Sequence, residues 1–343
     1  MDEDWVPYNQ REEWKDIIPM NLPQEPQSVC AIAYDEKYAT TMSYFRAIIH
    51  KKELSERAWE ITNDAIMLNS GHYTAWVFRL KLFHELKKDG KKEIEWLNEM
   101  AEDHPKTYQL WHHRESIIKA LCPVKQDAET DTVNPEQKEI IAAELWFLLE
   151  AITADPKNFH AWQWLVKRYA LWTQELQFVE SRINNDVRNN SAWNQRYFVL
   201  TKGQGDAKLD SDVIEKEIEY SIDKIRLAPS NESPWSYICG LLRKFSPAHI
   251  TTKLHPIIND LANDESAHEG QAMPVGQLMK KSPHYWAFLI DIYEIRLEDL
   301  KLESSRDTAE IVQSATEACD MLAQSIDPIR FAYWNYRKQA FVL

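Results

Sequence analysis

The sequence predicts an all-α protein, a solenoid of stacked helical hairpins. Three observations carry this. Only 7 of 343 residues are glycine, and such scarcity argues against tight β-hairpins, propellers and glycine-rich phosphate loops. Apolar residues recur at steps of three and four in segment after segment. A tryptophan-centred motif returns along the chain, which is the signature of a repeat array.

In chain order, residues 1–28 hold Pro7, Pro19, Pro23 and Pro26 among polar neighbours, so a segment of about residues 1–30 is expected to be extended or flexible. A single helical-repeat domain is expected over 31–343. Amphipathic helices are predicted from Leu54, Ala58, Ile61, Ala65 and Leu68, and from Ile94, Leu97 and Ala101. The same period runs through Ile141, Leu145, Leu148 and Ile152, through Leu176, Val179, Ile183 and Val187, and through Ile214, Ile218, Ile222 and Ile225.

A tryptophan segment follows each of these helices. Aligned on Trp76, Trp111, Trp162, Trp193 and Trp235, the position six before holds Ser70, Pro105, Pro156, Val187 and Pro229. Four before stand His72, Thr107, Asn158, Asn189 and Asn231; three after stand Arg79, Arg114, Leu165, Arg196 and Ile238. Proline and a short polar residue end one helix and start the next, and residues three apart share a side of the second helix. The tryptophans are expected as core knobs rather than as a stacking platform for bases. Their intervals are 35, 51, 31, 42, 51 and 48 residues when Trp286 and Trp334 are included. This irregular relative of the ~34-residue tetratricopeptide period requires insertions, placed at 123–136 and 203–212. The stretch 244–283 does not reveal its register.

Composition excludes several functions. The net charge is −14, unsuited to a general nucleic-acid binder, which needs lysine and arginine for phosphate. No apolar run approaches the ~20 residues of a membrane span. Cys30, Cys122, Cys239 and Cys319 are scattered, as expected for reduced thiols in a cytoplasmic protein, and the acidic start Met1-Asp2-Glu3-Asp4 is no secretory signal.

Enzyme motifs of the common kinds are missing: no G-x-S-x-G, no H-E-x-x-H, and Gly203-x-Gly205 lacks a third glycine. His112 and His113 are adjacent and point about 100° apart on a helix, so no metal site is assigned and both are read as surface or concave-face histidines. Asp155 and Asp186 read as capping groups at helix starts. One position stands out. Five residues before the tryptophan are Lys106, Lys157 and Arg188 in three successive repeats, which suits an anion such as diphosphate on the turns that enter the second helices.

Several runs carry a family resemblance. Tyr44-Phe45-Arg46-Ala47, Ser55-Glu56-Arg57-Ala58, Asp64-Ala65-Ile66 and Tyr73-Thr74-Ala75-Trp76 resemble the α-subunit family of protein farnesyltransferase, which also serves type I geranylgeranyltransferase. So do Trp111-His112-His113-Arg114, Lys157-Asn158-Phe159-His160-Ala161-Trp162 and, most specifically, the run Asp186 to Phe198. The resemblance implies a right-handed superhelical crescent wrapped around a separate β subunit, together a heterodimeric CaaX prenyltransferase. It places zinc on the β subunit and no cofactor on this chain, with magnesium as a companion of the diphosphate. It implies two substrates, an isoprenoid diphosphate and the C-terminal CaaX cysteine of a protein such as a small GTPase. Lys157 matches the family's diphosphate lysine, and Tyr108, Phe159, His160 and Asn189 match positions expected to line the substrate cavity. Phe159 departs from the tyrosine frequent there, and Leu165 from the arginine slot. Two alternatives compete: a non-catalytic repeat scaffold and the α subunit of Rab geranylgeranyltransferase.

Overall fold

The computed structural model describes residues 5–21, 32–123, 134–158, 172–203, 209–245, 248–266, 273–299 and 306–341. Among these every regular element is helical. The chain packs as two compact units, Met1–Tyr169 and Ala170–Leu343, where the sequence predicts one domain from residue 31. Repeat arrays pack neighbour on neighbour without one shared centre, so separate cores arise naturally. Trp162 and Leu165, and most of the two short predicted insertions, lie outside the described residues.

The first unit begins with two 3-10 turns, Tyr8–Gln10 and Glu12–Trp14. Here the structure differs from the expected flexible lead-in. Residues 5–21 are docked, with Tyr8, Trp14 and Ile17 buried. Tyr8 stacks on Tyr44 with ring centroids 5.5 Å apart, and its hydroxyl donates to Asp64 at 2.6 Å. Arg57 bonds Asp16, Glu53 and the Glu13 carbonyl at 2.6–2.9 Å. Burial of two aromatic rings and an isoleucine outweighs the disorder that the prolines suggest.

Six helices follow: α1 (Glu36–Lys51), α2 (Glu56–Leu68), α3 (Tyr73–Glu85), α4 (Gly90–Asp103), α5 (Tyr108–Leu121) and α6 (Pro135–Ala154). Side chains cap their starts. Asp35 caps α1, Ser55 caps α2, and Asp89 caps α4. Asn134 and Gln137 form a reciprocal capping box at α6, with Pro135 in its first turn. Helices α2 and α3 form one hairpin and α4 and α5 the next, and α3 lies against α5.

The second unit holds α7 (Trp172–Asn185), α8 (Asn190–Lys202), α9 (Ser211–Leu227), α10 (Glu232–Phe245), α11 (Ala248–Ala262), α12 (Val275–Lys280), α13 (Pro283–Asp299), α14 (Arg306–Met321) and α15 (Phe331–Gln339). The pairs α7/α8, α9/α10, α11/α13 and α14/α15 are hairpins, while α8 packs on α10 and α10 on α13.

The tryptophans do more than fill the core. Trp76, Trp111, Trp193 and Trp235 are buried, and each indole N–H donates to the carbonyl six residues back, on Ser70, Pro105, Val187 and Pro229, at 2.8–3.1 Å. The side chain at that position can therefore vary, since only its carbonyl is used. Trp286 donates to Lys280 in the same way at 2.8 Å. That bond sets the register of 244–283 and assigns α11 and α13 to one repeat. In the last hairpin Trp334 donates instead to the Asp327 carboxylate at 2.9 Å.

The repeat's arginines are buried ion-pair partners. Arg79 holds Glu93 at 2.6 and 2.8 Å, Arg114 holds Glu144, and Arg196 holds Glu217. All six side chains are below 10% exposed. Each glutamate stands 18 residues before the next repeat's tryptophan, so each pair ties one hairpin to its successor. His113 corrects the expectation of a surface histidine: it is 1% exposed and its Nε2 meets Glu93 Oε1 at 2.8 Å. Burial lowers its pKa despite the Glu93 bond. Its neighbour His112 is exposed.

Among the described residues no helix is long and apolar enough to cross a membrane. Cys122, Cys239 and Cys319 are buried and are not joined in disulfides.

Candidate anion-binding turns

Short turns enter α3 and α5, and a turn of the same register, 155–158, follows α6. Asp155 occupies the C-terminal cap of α6, its N–H bonded to Ala151. The expectation that it caps a helix start is thus corrected: it closes the preceding helix. Its Oδ1 accepts the Lys157 N–H at 3.0 Å, folding the chain back over Pro156. Asn158 is 2% exposed, and its amide donates to the Pro105 carbonyl at 3.0 Å. That is the carbonyl already bonded by Trp111, so the Lys157 turn is fastened to the turn of the preceding repeat.

The second unit repeats this device. Asp186 accepts the Arg188 N–H at 2.9 Å and follows α7, with its own N–H on Arg182. Asn231 donates to the Val187 carbonyl at 2.8 Å, the carbonyl that Trp193 bonds. The aspartate-to-backbone bond thus recurs in the Asp155 and Asp186 turns, and the asparagine bond to the preceding turn recurs at Asn158 and Asn231, the latter in a turn that carries Ala228 and Ser230 in place of the aspartate and the cation.

The Lys106 side chain and the Lys157 backbone N–H meet at one carboxylate. Lys106 Nζ lies 3.0 Å from Asp155 Oδ2, with the Lys106 side chain 74% and the Asp155 side chain 29% exposed. The other oxygen of Asp155 faces the Lys157 backbone. The Lys106 ammonium, helped by the Lys157 N–H, holds the Asp155 carboxyl below its ordinary pKa. The Lys157 side chain is exposed and makes no ion pair among the described residues. The result is two cation-bearing turns on either side of one carboxylate, open to solvent, with the N-terminus of α5 beside Lys106.

The other predicted residues fall as follows. Tyr108 is the first residue of α5 and is 67% exposed, two positions after Lys106. On α3, Tyr73 and Val77 are also exposed, at 68% and 50%. Asn189 is 2% exposed, and its side-chain oxygen accepts the N–H groups of Ser191 and Ala192 as the cap of α8. Phe159 and His160 lie outside the described residues. Arg188 belongs to the second unit. Among the described residues no group of three His, Cys, Asp or Glu side chains is arranged to hold a metal ion.

Two features escape a reading of the sequence. Asp155 is the ionic partner of Lys106 across 49 residues, and nothing local in either segment announces it. The glutamates at 18 before the tryptophan could have been found, since their spacing is constant, but they read as part of a solvated acidic face.

A sequence profile described as "Protein prenyltransferase alpha subunit repeat" matches residues 55–86, 91–121, 172–203 and 214–245. Four of the five aligned tryptophans fall inside these repeats. A Dictyostelium discoideum protein named "Protein farnesyltransferase/geranylgeranyltransferase type-1 subunit alpha" is 32% identical over 98% of this chain and 94% of its own length. The Pisum sativum protein of the same name is 33% identical over 98% of this chain and 96% of its own. A "Geranylgeranyl transferase type-2 subunit alpha" from Rattus norvegicus is 25% identical over 69% of this chain and 43% of its own. Among solved structures, "Candida albicans protein geranylgeranyltransferase-I complexed with GGPP" aligns with a TM-score of 0.73 at 27% identity, covering 97% of this chain and 99% of that one.

Proposed function

Because the chain belongs to the family of protein farnesyltransferase/geranylgeranyltransferase type-1 α subunits, we propose that it is the α chain of a heterodimeric CaaX prenyltransferase, inactive without its β subunit. The observation that carries this reading is end-to-end similarity: about a third of residues identical over 98% of the chain. In the reaction, the thiolate of a C-terminal CaaX cysteine attacks the first carbon of farnesyl or geranylgeranyl diphosphate. The carbon–sulfur bond forms as the carbon–oxygen bond breaks, and diphosphate leaves with the electron pair. Zinc, in this reading, belongs to the β subunit, and magnesium is a companion ion of the diphosphate.

The part assigned to this chain is electrostatic. Lys157 supplies an ammonium to the charge that grows on the departing diphosphate, and Lys106, in the same register one repeat earlier, stands beside it. A cation already fixed where charge develops lowers a barrier by about 2–4 kcal/mol in a partly dry cleft. Tyr108, exposed at the start of α5, is assigned with His160 to the peptide and Phe159 to the diphosphate, while Asn189 shapes the next turn as a helix cap. The strip of Tyr73, Val77 and Tyr108 is apolar surface of the kind that a partner subunit covers.

The test is co-expression with a type I or farnesyltransferase β subunit, followed by purification and transfer of labelled prenyl groups to a CaaX peptide. A 1:1 complex that turns over is expected. Absence of a complex and of turnover would favour the scaffold reading, and transfer only to Rab-type C-termini would favour the Rab enzyme.

A further inference from the structure

The carboxylate between the two lysines has no part in the chemistry proposed above. It is an anion placed where an anion is to bind, and unopposed it would repel diphosphate. Its geometry offers a reason for its presence. One oxygen takes the Lys157 N–H at 3.0 Å, and the other takes the Lys106 ammonium at 3.0 Å. Lysine is a flexible point charge on four methylenes, and Lys106 is largely exposed, so without a partner its ammonium would sample many positions. The equivalent Asp186 makes the same backbone bond to Arg188 but has no cation within ion-pair distance among the described residues. The backbone bond therefore accounts for the turn, and the ion pair at Asp155 is an addition to it.

We propose that Asp155 is a positioning residue that fixes the Lys106 ammonium next to the Lys157 turn and releases part of it to the diphosphate as charge builds up on the leaving group. The proposal rests on the prenyltransferase reading. It requires opposite effects on two quantities. Removing the negative charge raises the positive potential at the turns, so a resting anion binds more tightly. It also frees Lys106, so the ammonium is no longer in place at the moment of bond breaking, and chemistry slows. A turn that is merely damaged would weaken both together.

The experiment compares Asp155→Asn and Asp186→Asn in the purified α–β complex. Asparagine keeps the side-chain oxygen that accepts the backbone N–H, so the turn is retained in both. Two readouts are taken: binding of inorganic pyrophosphate by calorimetry, and the single-turnover rate of prenyl transfer. For Asp155→Asn, pyrophosphate is expected to bind about 3-fold or more tightly and the rate to fall about 10-fold, while Asp186→Asn, which frees no lysine, shows no such opposed pair of changes. If Asp155→Asn behaves like Asp186→Asn, or weakens binding and rate together, the positioning role is overturned while the functional reading stands. A wild-type complex that neither binds pyrophosphate nor transfers a prenyl group overturns both.

Discussion

Arg114 and Glu144 are each 1% exposed and joined at 2.6 Å, with Asn98 taking a further guanidinium N–H at 2.8 Å. Such a pair contributes little net stability while intact, but loss of one partner strands a buried charge. Arg114→Met is expected to destabilise the chain by about 3–5 kcal/mol, and Arg114→Met with Glu144→Leu by much less. Urea denaturation of the full chain measures both, and equal losses would contradict the pairing. Glu175 shows the opposite condition. It occupies the same slot, 18 before Trp193, but the preceding repeat has Leu165 where the repeats of Trp76, Trp111 and Trp193 have arginine. Its carboxylate accepts the Gln195 amide at 2.7 Å, and burial pushes its pKa up to about 7. A carboxyl whose folded pKa is raised favours folding at low pH, where both states are protonated. That stability is lost as pH rises from the unfolded value of 4.5 through about 7. Glu175→Gln should therefore remove a pH dependence of about 2–3 kcal/mol between pH 5 and pH 8 and stabilise the chain at pH 8. Parallel denaturation curves for wild type and variant across that window would refute this.

At the scale of elements, the periodic segments that the sequence marks as helices are helices: α2, α4, α6, α7 and α9 contain the five sets of apolar residues apart from Leu54, just before α2, and Val187, just after α7. The tryptophan register was legible because a large side chain at fixed offsets is visible in any alignment. What the indole N–H does was not, since a carbonyl acceptor can be carried by serine, proline or valine alike. Trp111→Phe keeps a ring in the core but removes the donor to Pro105. The expected cost is about 1–2 kcal/mol, read as a shift in denaturation midpoint, and no shift would mean the bond is incidental. The Lys106–Asp155 pair was illegible for a related reason: it joins two turns separated by two helices, and its partners become neighbours only after the hairpins stack. A dipeptide of histidines looks polar, whereas the burial of His113 depends on Glu93 arriving from α4. The prolines of residues 5–21 are local and visible, whereas the Tyr44 and Asp64 partners that dock Tyr8 lie far along the chain.

At the scale of the whole molecule, net charge −14 coexists with a cation at the same position of three consecutive repeats, and the Lys106 ammonium and the Lys157 backbone N–H share one carboxylate. A chain devoted to scaffolding has no need to concentrate cations where its helices begin, whereas a chain that helps a diphosphate depart does. The most direct measurement is the single-turnover rate of prenyl transfer by the α–β complex carrying Lys106→Ala and Lys157→Ala together. The expected result is an intact heterodimer that still binds the CaaX peptide, with the chemical step slowed ~10²-fold or more. A rate unchanged from the wild type would contradict the assignment of leaving-group stabilisation to these turns.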